Sequence, residues 1–459
     1  MSQLKAALNQ VRDSRDQHLS EFRELLSIPS ISTLPEHKGD IIRCAEWLAA
    51  QLTQAGMESV RLMDTGGHPV VYGESLNAGA DKPTVLVYGH YDVQPADPLD
   101  EWDSPPFDPT VKDDYIVARG ASDMKGQIFA QIKAAQALSD HGDFPFNIKY
   151  LIEGEEEIGS ENLDSFIDHN GDLLQCDFVL NTDAGLFSKD QPGITYSLRG
   201  LAYFEVEVRT AQKDLHSGRF GGSVRNPVHV LSELIAGLHD AQGRITLPGF
   251  YDDVRDLPQD ERDAIAELPF TDERWREMST SDALYGEEGF TTKERVGVRP
   301  ALDVNGIWGG FTGEGAKTVL PAVATCKLST RLVANQDHTK IVDMLRAYLE
   351  ANMPEHVQWD LRDLGGGPAA SMDRHSPWMA AATAALHDTF GKDTLFSPEG
   401  GSIPVVGMMQ EKLGVDSIML GFALPDDGIH GPNEHQYLPN FYRGIETYIH
   451  YMVRVGALA

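Results

Sequence analysis

Three apolar runs in this chain each stop at residues able to hold a cation. Thr84-Val85-Leu86-Val87-Tyr88-Gly89 runs into His90-Tyr91-Asp92. Phe146-Asn147-Ile148-Lys149-Tyr150-Leu151-Ile152 runs into Glu153-Gly154-Glu155-Glu156-Glu157, and Asp177-Phe178-Val179-Leu180-Asn181 runs into Thr182-Asp183. Short β-branched and aliphatic runs closed by turn residues read as buried strands of an α/β sheet. In such sheets ligands sit beyond the carboxyl ends of the strands. The sequence thus sets a histidine and several carboxylates along the one edge where a site belongs. A solvated loop accounts for one such stop more readily than for three.

Between and around these runs the apolar spacing is helical. It predicts helices over 4–27, 40–55, 125–138, a stretch near 160–168, and 377–389, 404–412 and 440–455, with further strands at 59–63, 70–72 and 416–421. Strand alternating with helix implies a doubly wound, mostly parallel sheet. Near residue 199 the pattern changes. Phe204-Glu205-Val206-Glu207-Val208-Arg209 alternates with period two, as a strand wetted on one face does. A helix at 227–239, a strand at 323–333, a helix at 339–351 and a strand at 357–361 suit a small inserted α+β (ferredoxin-like) domain with an antiparallel sheet. Residues 243–320 show little periodicity and read as an elaboration of that domain. Gly365-Gly366-Gly367-Pro368 reads as the hinge back. The expected organisation is one discontinuous domain over 1–198 and 369–459, with a second over 199–368.

A length of 459 residues fits two domains. The net charge of −32 argues against nucleic acid and against an anionic membrane surface, since both need basic protein surface. No apolar run approaches the roughly 18 residues of a membrane span, and the N-terminus lacks the apolar core of a signal peptide. Three widely spaced cysteines, Cys44, Cys176 and Cys326, fit a reducing cytoplasm better than a disulfide framework.

Taken singly, the polar residues have ordinary readings. His90 beside Asp92 is a common surface pair, although a ligand histidine also needs a carboxylate or carbonyl for its second nitrogen. Asp123, just ahead of a helix, is a plain N-cap. Glu155-Glu156-Glu157 is a solvated charge run, unless pinned at the sheet edge, where three carboxylates need cations to coexist. As a set, His90, Asp123, Glu157, Asp183 and His430 supply two imidazoles and three carboxylates. That suits two borderline divalent ions, Zn²⁺ or Mn²⁺, sharing one carboxylate. Glu156, beside a ligand yet free, is placed to act as general base towards water acidified by the metal pair.

Val87-Tyr88-Gly89-His90-Tyr91-Asp92-Val93-Gln94-Pro95, Arg119-Gly120-Ala121-Ser122-Asp123-Met124-Lys125-Gly126 and Glu153-Gly154-Glu155-Glu156-Glu157-Ile158-Gly159-Ser160 resemble the cocatalytic dinuclear metallopeptidases. These include carnosinases, cytosolic nonspecific dipeptidase and the acetylornithine and succinyl-diaminopimelate deacylases. Ile194-Thr195-Tyr196-Ser197-Leu198-Arg199-Gly200, Asp214-Leu215-His216-Ser217-Gly218, Gly313-Glu314-Gly315-Ala316-Lys317-Thr318-Val319-Leu320-Pro321 and Asp426-Asp427-Gly428-Ile429-His430 are similar to the dipeptidase branch. The resemblance implies that His90 and Asp183 hold one metal, Glu157 and His430 the other, and that Asp123 bridges. It implies that Asp92 orients His90, that Glu156 is the base, and that the Asp123–Met124 peptide is cis. It also implies a homodimer whose second domain is a lid, with His216 reaching the partner's site to stabilise the oxyanion. Arg331 would grip the substrate's C-terminal carboxylate. Thr318, Gly401, Ser402 and His430 match further substrate-contact positions.

In that family an Asp at the third carboxylate position, here Asp183, accompanies dipeptidases and aminopeptidases, whereas a Glu accompanies carboxypeptidases and deacylases. The expected function is metal-dependent hydrolysis of dipeptides in the cytoplasm. An N-acyl-amino-acid deacylase on the same scaffold is the alternative. A metal-binding protein without catalysis would need neither Glu156 nor His216, and a serine hydrolase would need a Gly-x-Ser-x-Gly elbow that the chain lacks.

Overall fold

The three runs that end at His90, Glu153 and Asn181 are neighbouring strands of one sheet. The computed structural model describes residues 2–401 and 403–458. Six strands build this sheet: β1 (Glu58–Met63), β2 (Val70–Ser75), β3 (Thr84–His90), β4 (Asn147–Glu153), β5 (Phe178–Asn181) and β6 (Ser417–Met419). Their spatial order is β1-β2-β4-β3-β5-β6. β4, β3, β5 and β6 run parallel, and β2 and β1 close one side antiparallel. Every residue of β4 and β5 is buried, the polar Asn147 and Lys149 of β4 included, so neither strand has a wet face. The fold is mixed α/β.

The chain divides into two compact units. The first comprises the chain up to Tyr196, Met372–Phe396 and everything from Met408 on; the second comprises Ser197–Ser371 and Ser397–Gly407. In the first unit the helix Lys125–Ser139 is buried almost along its whole length. It packs with Arg15–Leu26 and Leu438–Gly456 through an aromatic stack in which Phe22 lies 4.8 Å and Phe129 6.2 Å from Phe441. Its N-terminal turn tolerates only glycine at Gly126. A Cβ there would stand 2.3 Å from the Ala121 carbonyl and 2.2 Å from Gln436 Oε1.

In the second unit four antiparallel strands lie in the order Ala301–Gly309, Val323–Leu332, Gly200–Arg209, Gln358–Gly367. The helices Pro227–Ala236 and Ile341–Asn352 contribute Val230, Leu231, Leu234, Leu345 and Leu349 to its core, with Phe204, Val206 and Val208 from the sheet.

Several boundaries differ from the periodicity reading. The single helix over 4–27 is two, Gln3–Asp13 and Arg15–Leu26, because Ser14 leaves helical geometry at φ −98° and ψ 14°. The helix near 160–168 runs instead over Leu163–Leu174. The positive φ of Gly159 (92°) and Ser160 (52°) holds the chain out of helix until then. Residues 243–320 contain three short helices, Gln259–Ala266, Asp272–Ser279 and Thr292–Gly297, and the strand Ala301–Gly309. That strand is an exposed sheet edge, so it lacks the buried alternation that marks a strand in sequence. The Gly400-Gly401 loop falls in the second unit rather than with the first domain, held by Arg199 Nε, which donates to the Gly400 carbonyl at 3.2 Å.

Candidate active site

The carboxyl ends of three adjacent strands and two loops of the first unit converge. β3 ends on His90, and its continuation carries Asp92. β4 ends at Glu153 and turns through a single 3-10 turn, Glu156–Ile158. β5 ends at Asn181, whose Oδ1 accepts from the Asp183 amide at 2.8 Å and turns the chain. The loop ahead of Lys125 brings Asp123, and the loop ahead of Leu438 brings His430 in a left-handed conformation at φ 61°. The Asp123–Met124 peptide is cis, as the resemblance implied.

Two triads of possible ligand atoms result, each within 4.8 Å of one another: His90, Asp123 and Asp183 in one, Asp123, Glu157 and His430 in the other. Asp123 belongs to both. Its Oδ1 lies 3.2 Å from His90 Nε2 and its Oδ2 lies 2.9 Å from His430 Nε2, so each oxygen faces a different imidazole. His430 Nε2 is also 3.1 Å from Glu157 Oε2. Glu156 stands beside both triads, its Oε2 3.9 Å from His90 Nε2.

The side chains around the triads fix them. Asp92, fully buried, accepts from the Glu156 amide at 3.2 Å through Oδ1 and from the Glu157 amide at 3.1 Å through Oδ2. The same Oδ1 lies 3.4 Å from His90 Nδ1. His90 Nδ1 also donates to the Asp92 carbonyl at 3.1 Å. Asp92 thus holds the His90 ring through its main chain as well as its carboxylate, and the carboxylate ties the Glu156-Glu157 turn to β3. Gln94 Nε2 donates to Glu157 Oε2 at 2.8 Å. Glu155 turns away, its Oε1 accepting from the His68 amide and from Asn162 Nδ2, both at 3.0 Å.

The donor set fits a pair of divalent cations. His90 Nε2 is buried and, though close to Asp123, makes no aligned hydrogen bond. A buried ring nitrogen without a partner is costly unless it serves as a ligand. Burial, with the charges of Asp123, Glu156 and Glu157 adding, pushes the Asp183 carboxyl up to about 8. Burial, with Glu157, Asp123 and Asp92 adding, pushes Glu156 up to about 7. Hydrogen bonding to Asp123 and Glu157 pushes His430 up to about 10. Burial works against a charge on His90, but Asp123 and Asp92 hold its imidazolium well above the usual range. Burial opposes the charge on Asp123, but His430 and His90 keep its carboxylate well below the usual range. Crowded carboxylates that keep protons, and imidazoles that acquire them, mark a cluster arranged for positive charge.

The remaining expected positions lie in the second unit. His216 pairs with Val319 in a two-residue antiparallel ladder, and the Ser217 amide donates to the Thr318 carbonyl at 3.1 Å, so His216 and Thr318 are neighbours. His216 Nδ1 accepts from the Gly218 amide at 3.0 Å, which leaves the proton on Nε2 of this exposed ring. Arg331 sits near the end of its strand, paired with Ala301 and Leu201. Gly401 is exposed in its loop, and Ser402 lies outside the described residues. Gln94 and Glu434 also serve the site, although no role follows for them from sequence. Both fall inside motifs, yet only the fold shows what they touch.

A family model described as peptidase family M20/M25/M40 matches residues 86–454. The chain belongs to this family. Among curated relatives, the Cys-Gly metallodipeptidase DUG1 of Saccharomyces cerevisiae is 30% identical over 98% of this chain and 97% of its own. The Beta-Ala-His dipeptidase of Homo sapiens is 31% identical over 99% and 94%. Among solved structures, an M20 family metallo-carboxypeptidase from Sulfolobus solfataricus superposes with a TM-score of 0.80 at 33% identity, covering 96% of this chain and 99% of the other. The M20 family assignment makes the chain a metallopeptidase, and the first two relatives lie in its dipeptidase branch.

Proposed function

We propose that this M20 peptidase is a dipeptidase that works with two divalent ions, Zn²⁺ or Mn²⁺. The observation that carries the reading is the sharing of Asp123 between two ligand triads with Glu156 alongside. His90, Asp123 and Asp183 would hold one ion, and Asp123, Glu157 and His430 the other. When bound, such a pair supplies Lewis acidity to the scissile carbonyl and to water. The chain's own residues do the rest. Glu156 Oε2 takes the proton of the attacking water and passes it to the leaving amine nitrogen. Asp92 keeps His90 and the Glu156-Glu157 turn in place. By the family resemblance Arg331 would pair with the substrate's C-terminal carboxylate, and Thr318 and Gly401 would contact the substrate. His216 Nε2–H donates to the developing oxyanion.

The first unit is the catalytic domain and the second a ferredoxin-like lid that also dimerises. The exposed edge strand Ala301–Gly309, with Ile307 and Trp308 at 53% and 47% exposure, supports dimerisation through that unit. His216 then enters the site of a second copy. Three free cysteines support a reducing cytoplasm, and no helix among the described residues is long and apolar enough to cross a membrane.

The likeness to a metallo-carboxypeptidase favours a second reading, removal of C-terminal residues from longer peptides. Cys-Gly and β-Ala-His, tri- and tetrapeptides, and N-acetyl amino acids should be assayed with metal-stripped protein reloaded with Zn²⁺ or Mn²⁺. The dipeptidase reading expects the dipeptides to lead, and Glu156→Gln to lose roughly 100-fold or more in kcat while keeping both metals. Faster cleavage of tetrapeptides than of any dipeptide establishes the second reading instead. Turnover of N-acetyl amino acids alone removes both.

A further inference from the structure

Asp123 is the one carboxylate common to both triads, and it does not sit on a strand. Its position depends on the loop Arg119-Gly120-Ala121-Ser122, and that loop is gathered around another acidic side chain. Glu434, buried to 0% exposure, accepts four hydrogen bonds through its carboxylate. Oε2 takes Arg119 Nη1 at 2.7 Å and the Gly120 amide at 3.0 Å. Oε1 takes the Ser122 amide and the Asp123 amide, both at 3.0 Å. The Glu434 carbonyl accepts from the Ala118 amide at 3.0 Å. Arg119 is buried to the same degree, at 1%, and spans to the Pro95 carbonyl at 3.1 Å.

Glu434 lies four residues beyond His430. A second link joins the same two segments: Ser122 Oγ donates to Asp427 Oδ2 at 2.5 Å, and Asp427 precedes His430 by three residues. The loop that carries Asp123 and the loop that carries His430 are therefore fastened to each other on both sides of His430, and along the approach to Asp123 up to its own amide. All of these bonds lie within protein.

We propose that Glu434 is a positioning residue that sets Asp123 and His430 in register before metal arrives, so that the two oxygens of Asp123 already face the two imidazoles. This rests on the two-ion reading above. A carboxylate that organises three amides of one loop (Gly120, Ser122 and Asp123) and a guanidinium fixes a backbone more firmly than the loop's own turns, because charge-assisted bonds are about twice as strong as neutral ones. Groups that hold ligands in this way change metal affinity by about 10- to 100-fold when removed. Asp123 serves both ions, so both should weaken. His430 is tied to the same fastening, so the ion at Glu157 and His430 should weaken more.

The test has three parts, read by metal binding rather than turnover. Wild-type protein, stripped and titrated with Mn²⁺ against a competing chelator, should take two ions. Fewer than two overturns the two-ion reading itself and is seen before any variant is made. Glu434→Gln should then bind at least one ion ten-fold or more weakly, with kcat lowered at limiting metal, recovered at excess metal, and KM little changed. Because Glu434→Gln leaves the Arg119 charge buried and unpaired, the double variant Arg119→Met/Glu434→Met is the control. It has no buried charge and no acceptor for the Ser122 and Asp123 amides. Recovered thermal stability with affinity still lowered supports positioning, whereas wild-type affinity in either folded variant overturns it.

Amide hydrogen exchange on metal-free wild type needs no variant. The Ser122 and Asp123 amides should exchange as slowly as those of β4. Fast exchange that slows only when metal is added means the ions build the loop, and the proposal fails.

Discussion

If the two triads each hold a divalent ion, filling them must expel protons, and the side chains already described set the number. Ligation requires each imidazole nitrogen and each carboxylate oxygen without its proton. In the metal-free protein His430 titrates at about 10, and His90 is held charged well above neutrality. Asp183 titrates at about 8 and Glu156 at about 7. At pH 7 that leaves both histidines protonated, Asp183 about nine-tenths protonated and Glu156 about half. Loading both positions should therefore release about three protons at pH 7 and about two at pH 8.5, where Asp183 is already about three-quarters ionised. Calorimetric titration of stripped protein with Mn²⁺, repeated in buffers of different ionisation enthalpy, gives the count from the slope. A release below one proton at pH 7, or an affinity that does not rise between pH 6 and 8, refutes this ligand set.

The same groups fix the sign of a stability change. A carboxyl group whose pKa is raised in the folded state contributes stability that is present below its unfolded value and lost as pH rises through the folded value. For Asp183 and Glu156 that window runs from about pH 4 to about pH 8. His430, also raised, extends the loss towards about pH 10. Bound cations reverse it by holding the deprotonated forms. The melting temperature of loaded protein should exceed that of stripped protein by a margin that widens from pH 6 to 8.5. A margin that narrows contradicts the charge arrangement of the site.

Three further outcomes are expected. Gly154→Ala would set a Cβ 2.5 Å from Tyr91 Cζ and Oη, and Tyr91 Oη donates to the Pro69 carbonyl at 2.7 Å, so urea midpoints should show a loss of about 1–3 kcal/mol; an unchanged midpoint means that the ring yields freely. His18, at 7% exposure, is pushed down to about 4 by burial with Lys133 adding, so its contribution is present above pH 6.5 and lost as pH falls towards 4. Between pH 7 and 5 this amounts to about 2 kcal/mol, and His18→Leu should flatten that slope in urea titrations. If His216 acts across a dimer, mixing the inactive Glu156→Ala and His216→Ala proteins should restore part of the activity after subunit exchange; no recovery after proven exchange rules out the trans arrangement.

The strands were legible because burial on both faces leaves an unmistakable mark. β3, β4 and β5 are buried at nearly every position and mostly apolar between their ends, which makes those ends easy to place. His90, Glu157 and Asp183 stand at or just past those ends, so a reading of apolar runs reaches them directly. The strand Ala301–Gly309 carries the opposite lesson. Its burial never alternates, since it is a sheet edge with one neighbour, and its Gly306 sits at a register shift. Nothing in its composition separates it from the loop around it.

Asp123 and His430 were found by motif rather than by periodicity, and the structure gives the reason. Neither belongs to a strand or a helix. A strand end inherits its place from the sheet, whose register is set by many paired residues. A loop ligand has no such inheritance and must be held by side chains from elsewhere in the chain. For Asp123 that side chain lies 311 residues away, in Glu434. No local pattern encodes a contact of that separation. Glu157 shows the intermediate case: it follows a strand closely enough to be read, yet still draws on Asp92 and Gln94, more than 60 residues earlier, to settle its turn and its carboxylate. The dependence on remote side chains grows with distance from the sheet, so substitutions at Glu434 should disturb metal binding more than substitutions at Gln94.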